Sequence, residues 1–197
     1  MADVVLPLPP QAVATRSVRS TVLLGSIASL REGGYFDAWR AALEPSYRDT
    51  LLQAVAGVWL PLDVGLAYYR ACDSLGLSSD AVAKLGSATF QRIRGTLLGT
   101  VLRMANGAGV TPWTVLPHLQ RFWDRGYQGG GCEITRLGPK DAKLAVAWCG
   151  LVESHYYRNA LRGLTISVLS LFCQKVYVRE PAGPRAEGTL SLHAQWV

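Results

Sequence analysis

The last third of the chain, from Cys132 to Trp196, constrains the fold most, because it alternates apolar and polar residues in four short segments and breaks that alternation once. In the closing segment Leu190, Leu192, Ala194 and Trp196 point one way, while Thr189, Ser191, His193 and Gln195 point the other. A period of two is a strand with one buried face. Ala142, Leu144, Val146 and Trp148 repeat the pattern, and Lys175 to Arg179 places Val176 and Val178 together. Between the pairs, Tyr157, Leu161, Leu164, Val168 and Leu171 recur at helical spacing from Glu153 to Phe172. The order is therefore β-β-α-β-β, with a helix able to lie across the sheet it interrupts.

Upstream the chain reads as helices. A helix over Ser20–Leu30 stops at Gly33-Gly34, and two short ones, Tyr35–Leu43 and Tyr47–Val55, are separated by Pro45, which cannot continue the first. Pro61 opens a helix that runs to Gly76, and Ser78 or Ser79 caps the longest one, whose stripe runs from Val82 through Phe90, Leu97 and Val101 to Met104. Thr111-Pro112 starts a further helical stretch that Pro117 interrupts before Gly126. The glycine-rich segment 126–131 leads into a strand rather than a helix and has no lysine-serine pair after it, so it is a joint and not a phosphate loop. The fold class is α+β: an N-terminal helical layer packed on a small antiparallel sheet with a β-β-α-β-β C-terminal unit. Residues 1–18, rich in proline, form an extended arm, and 19–197 one domain.

At 49% hydrophobic and 17% charged residues, the composition is that of a folded globule. The net charge of +6 comes from dispersed arginines such as Arg16, Arg31, Arg70, Arg121 and Arg158, with no basic stripe and no DNA- or RNA-binding signature, which argues against nucleic acid. The N-terminus lacks a basic region and carries three prolines in its first ten residues, unlike a signal peptide. The longest apolar run, Leu164–Cys173, falls far short of the roughly 20 residues that span a bilayer. A soluble, cytoplasmic protein is expected.

Little in the chain looks catalytic. His118, His155 and His193 have no metal-ligand spacing, and no nucleophile elbow or paired carboxylates occur. Cys72, Cys132, Cys149 and Cys173 show no C-x-x-C and read as reduced, buried thiols, although a hairpin turning at Gly138–Asp141 would bring Cys132 and Cys149 near enough to pair in an oxidising compartment. Two features suggest binding. Gly86, Gly95 and Gly99 remove side chains from the long helix, leaving either a close helix contact or an apolar pocket lined by Phe90, Gly95, Leu97 and Trp148. His155, Tyr156 and Tyr157, at the start of the later helix, are candidates for a pocket mouth.

Thr21-Val-Leu-Leu-Gly25, Leu60-Pro-Leu62, Lys84-Leu-Gly86, the run Leu137–Leu144, Tyr157-Arg158 before Gly163, and the closing tryptophan strand together resemble a large paralogous family of unknown function expanded in myxobacteria. That family is in turn distantly similar to vinyl-reductase-type sensor domains, haem nitric-oxide sensor domains and vesicle-tethering TRAPP subunits. The resemblance implies a binding or scaffolding module and no catalysis. The Tyr-x-Ser-x-Arg motif of the haem sensors and the cysteine cluster of zinc-holding relatives are missing, so no cofactor is expected. The leading expectation is a dimerising protein-interaction module, a homo-oligomer or one bound to a protein partner, because Tyr68, Tyr69, Trp113 and Trp123 add to a large aromatic complement. The alternatives are a sensor domain for a small apolar ligand or, by analogy with the tethering subunits, a partner of a small GTPase.

Overall fold

The computed structural model describes residues 3–97 and 109–197, with the side chains of 93–97 outside the description. Its strands are β1 (Asp3–Leu6), β2 (Ser17–Arg19), β3 (Trp59–Pro61), β4 (Tyr127–Gln128), β5 (Gly131–Gly138), β6 (Asp141–Ala147), β7 (Val176–Arg179) and β8 (Leu190–Trp196). Its α-helices are α1 (Ser20–Glu32), α2 (Phe36–Ala42), α3 (Pro45–Leu52), α4 (Leu62–Asp73), α5 (Ser79–Leu97), α6 (Pro112–Val115), α7 (Leu119–Gly126) and α8 (His155–Leu169). The α+β architecture and the β5-β6-α8-β7-β8 unit match the expectation from alternation. No described helix is long and apolar enough to cross a membrane.

The main sheet is antiparallel in the order β1-β5-β6-β8-β7. Its register places Leu144 opposite Leu192 and Val146 opposite Leu190, so the apolar residues of both strands fall on one face. Gly138 pairs with Asp141 at the hairpin, as the turn residues require. The proline-rich N-terminal segment is extended, and it is also paired: Asp3 and Val4 lie opposite Arg136 and Thr135, which covers the free edge of β5. A second sheet, β3-β2-β4, ties this segment to the helices through Val18, which is fully buried. Gly129, at φ +86°, follows β4 where a side chain would come within 2.5 Å of the Ala14 carbonyl oxygen, so the glycine joint is a place where two backbones meet.

Two details depart from the sequence reading. Strand β6 ends at Ala147, and Trp148 adopts φ +57° with 42% of its surface exposed, because its backbone turns there and its carbonyl accepts the Thr15 amide at 2.7 Å. The aromatic surplus on the helices is internal. Trp39, Tyr68, Tyr69, Tyr157, Tyr127 and Trp123 form a continuous ladder with successive ring centroids 4.2–6.3 Å apart. Trp113 meets Trp196 edge-on at 5.1 Å, so the short helix α6 covers the last strand there.

The helical layer owes its tightness to two glycines. A methyl group at Gly86 of α5 would collide with the Ala160 carbonyl, and one at Gly163 of α8 with the Ala83 carbonyl. These helices touch backbone to backbone, and Ser87 Oγ donates to the Gly163 carbonyl at 2.9 Å across the contact. Gly86 therefore marks close packing and not a void.

Candidate functional site

Beside this crossing lies a chamber that both helices border. Its floor is the sheet face bearing Leu144, Val146, Leu190 and Leu192. Its roof is the α8 stripe of Leu161, Leu164, Val168 and Leu169, whose three- and four-residue spacing keeps them on one side of the helix. One wall is built by Leu119, Phe122, Trp123 and Gly126 of α7, and Phe90 of α5 and Val22 of α1 close the far end. The chamber encloses about 130 Å³. Space of that size lined by hydrocarbon stays dry and accepts benzene-sized molecules.

A smaller annex of about 40 Å³ shares Val22, Tyr127, Leu161 and Leu164 with the chamber. It is more polar, for Ser26, Tyr69, Thr89 and Tyr157 also line it. Ser26 Oγ accepts the Tyr68 hydroxyl at 2.6 Å, and Thr89 Oγ1 donates to the Leu85 carbonyl at 2.9 Å. Tyr157 Oη, fully enclosed, has no hydrogen-bond partner among the described residues. Tyr127 and Tyr157 meet edge-on at 6.3 Å, and the Tyr157 hydroxyl interacts with that of Tyr127 and with the Cys149 thiol.

Electrostatically the site is neutral. Burial pushes the phenols of Tyr69, Tyr127 and Tyr157 up, and burial also raises the thiol of Cys132, which borders the chamber. All stay protonated near pH 7. No described lining residue is charged, so neither a carboxylate nor an ammonium group would find a counter-ion.

Phe90 lines the chamber, whereas Trp148 is on the surface and contributes nothing to it. The surroundings of Gly95 and the side chain of Leu97 lie outside the description. His155 is exposed beside Asn159. Tyr156 and Tyr157 are 1% and 2% exposed, so they do not frame a mouth. Tyr156 is instead anchored by its amide on the Asp73 carboxylate at 2.6 Å, and Tyr157 points its ring into the annex wall. The four cysteines are free thiols, Cys173 half-buried and the others buried. Sequence reasoning missed Tyr69, Tyr127 and Cys132 as lining residues. The one available signal is the α8 stripe, whose spacing alone says no more than that it covers the sheet.

No family model matches the sequence, and no curated protein matches it. Solved structures do match in shape. A mutant H-NOX protein from K. algicida, Fe(II) and unliganded, superposes with a TM-score of 0.66 at 7% identity, covering 91% of this chain and 96% of that one. A mutant H-NOX from T. tengcongensis gives 0.60 at 12% identity, covering 90% and 97%. An oxygen-binding H-NOX domain related to soluble guanylate cyclases, in its oxygen complex, gives 0.55 at 13% identity, covering 90% and 94%. At such identities the likeness establishes a common fold, the one that the resemblance to haem nitric-oxide sensor domains implied.

Proposed function

We propose that this chain is a sensor-type domain that takes up a small, uncharged, largely apolar molecule in the chamber beneath α8. The observation that carries the reading is the chamber itself: about 130 Å³ walled almost wholly by hydrocarbon from five α-helices and four strands, beside a helix crossing that packs backbone against backbone. Natural cores rarely keep such space, because each unfilled volume forfeits contact energy. The H-NOX-like fold supports a ligand-binding reading over a scaffold. The dimerising-module reading loses most of its argument, since three of the aromatic residues that suggested an interface, Tyr68, Tyr69 and Trp123, are buried, and Trp113 is half-buried against Trp196.

Some proteins of this fold are haem proteins, but the residues here do not fit haem. A porphyrin is several times larger than the chamber, and no described lining residue is a histidine or carries positive charge to meet its carboxylates. His118 is half-buried outside the lining, His155 is exposed, and His193 is committed to Asp141 at 2.5 Å. Cys132 is held as a neutral thiol by burial.

The test is calorimetric and thermal titration with benzene. Saturating benzene should raise the melting temperature, because a ligand that binds only the native state stabilises it by mass action. Leu164→Phe, which fills the space between chamber and annex, should melt slightly above the unmodified protein and ignore benzene. Identical melting of the unmodified protein with and without benzene would reject the reading.

A further inference from the structure

We propose that the ligand carries no hydrogen-bonding group: the chamber is a polarity filter that takes a small hydrocarbon and rejects the alcohol or phenol of the same shape. The inference rests on the ligand-binding reading above and specifies the chemistry of that ligand. Its first support is that the polar side chains in the described lining are committed within the protein. Trp123 Nε1 donates to the Gly129 carbonyl at 2.8 Å, and Thr165 Oγ1 donates to the Leu161 carbonyl at 2.8 Å. Tyr127 stacks on Trp123 with ring centroids 4.2 Å apart, and its hydroxyl is set against that of Tyr157. There remains Cys132, whose thiol burial keeps neutral, and a neutral thiol is a weak donor and a weak acceptor.

The second support is the backbone behind those side chains. Strand β6, in the floor, is paired on both sides, with Cys132 of β5 opposite Val146 and Leu192 of β8 opposite Leu144. The Cys132 amide donates to the Gln120 side chain at 2.7 Å. The roof residues lie within α8, where amides and carbonyls bond to one another along the helix. On the annex side Ser26 accepts from Tyr68, and Thr89 donates to the Leu85 carbonyl.

A hydroxyl brought into this space gives up its bonds to water and meets groups that already have partners. That loss weakens binding by about tenfold or more. A methyl group in the same place loses nothing and gains contact with the hydrocarbon walls. A sensor built this way reports a hydrocarbon and falls silent once hydroxylation has turned it into an alcohol or phenol.

Toluene and phenol, nearly alike in shape, exchange a methyl group for a hydroxyl, so the ratio of their affinities reads polarity at constant size. Calorimetric titration of the unmodified protein at pH 7 should show benzene and toluene binding, and phenol at least about tenfold weaker than toluene. Phenol within tenfold of toluene would mean that a hydroxyl of the wall or annex receives it, and would overturn the proposal while leaving the apolar-ligand reading intact. Benzene binding with toluene and phenol both excluded would make size the filter and overturn it as well. If none of the three binds, the ligand-binding reading itself fails. Thr165 supplies an internal control, because a hydroxyl that donates to a carbonyl can still accept. Thr165→Val should leave the toluene-to-phenol ratio unchanged, and a ratio that widens would show this hydroxyl serving the ligand, against the proposal. The comparison in the unmodified protein decides even if the variant folds poorly.

Discussion

Tyr68 and Tyr157 are both buried tyrosines on the same aromatic ladder, yet their hydroxyls should have opposite effects on stability. Tyr68 Oη donates to Ser26 at 2.6 Å, so Tyr68→Phe removes a bond, leaves Ser26 with one partner fewer, and should cost about 1–2 kcal/mol in urea unfolding. Tyr157 Oη is unpaired, so in ligand-free protein Tyr157→Phe should be neutral or stabilising by up to about 1 kcal/mol. Equal losses in the two variants would mean that Tyr157 has a partner after all. The same burial sets a pH dependence. The thiols of Cys72, Cys132 and Cys149 are raised above their ordinary value of 9.0 by desolvation, so the native state keeps protons that the unfolded chain releases. Stability should hold on the acid side of about pH 9 and decline as the pH climbs past it, with the buried tyrosines adding to the loss above about pH 10. Unfolding midpoints at pH 7, 9 and 10.5 measure this, and a midpoint that rose across the series would contradict it. At this scale the sequence was only partly legible. Tyr156 and Tyr157 stood out as aromatic neighbours, but consecutive residues on a helix point about 100° apart, so Tyr157 lines the annex while the Tyr156 ring packs against Tyr69 outside it. Trp148 continued an alternating pattern and was misplaced because a single positive φ ends the strand one residue earlier.

Among elements, the α5–α8 crossing carries the most information. Alanine normally stabilises a helix by about 1 kcal/mol over glycine. Gly86→Ala and Gly163→Ala should do the reverse, costing about 1–3 kcal/mol each, because each new methyl group meets a carbonyl of the facing helix and the pair must separate. Melting curves check the sign, and a stabilised Gly163→Ala would show that the helices stand further apart. Gly86 was visible as a gap in the apolar stripe, but its meaning was not, since Ala160 lies more than seventy residues away and no local pattern reports which backbone will fill a gap. Gly163 drew notice only through the family resemblance. The strands were legible for the opposite reason: a two-residue period is a local property, and the β6–β8 register follows once the apolar faces of both strands are buried together. Strand β1 was hidden because prolines follow it and its four residues are exposed or half-buried, leaving no alternation to read.

For the molecule as a whole, the chamber sets a balance between stability and binding. Cavities in protein cores cost about 24 cal/mol per Å³, so a space of about 130 Å³ corresponds to roughly 3 kcal/mol of forgone stability. The surrounding core is otherwise closely fitted. Trp196, 5% exposed and packed on Trp113, should cost about 3–5 kcal/mol when replaced by alanine, and a loss below about 1 kcal/mol would place the last strand outside the core. Replacing Leu164 works in the other direction. This residue borders both the chamber and the annex, and phenylalanine there adds volume where no atom stands, so Leu164→Phe should recover about 0.5–1.5 kcal/mol of the deficit in the absence of ligand. It should also abolish benzene uptake. Stability gained and binding lost in one variant would show that the same space both costs the fold stability and admits the ligand. If Leu164→Phe were instead destabilising by the 1–3 kcal/mol typical of overpacking, α8 would lie closer to the sheet in solution and the chamber would be too small to admit an aromatic ring.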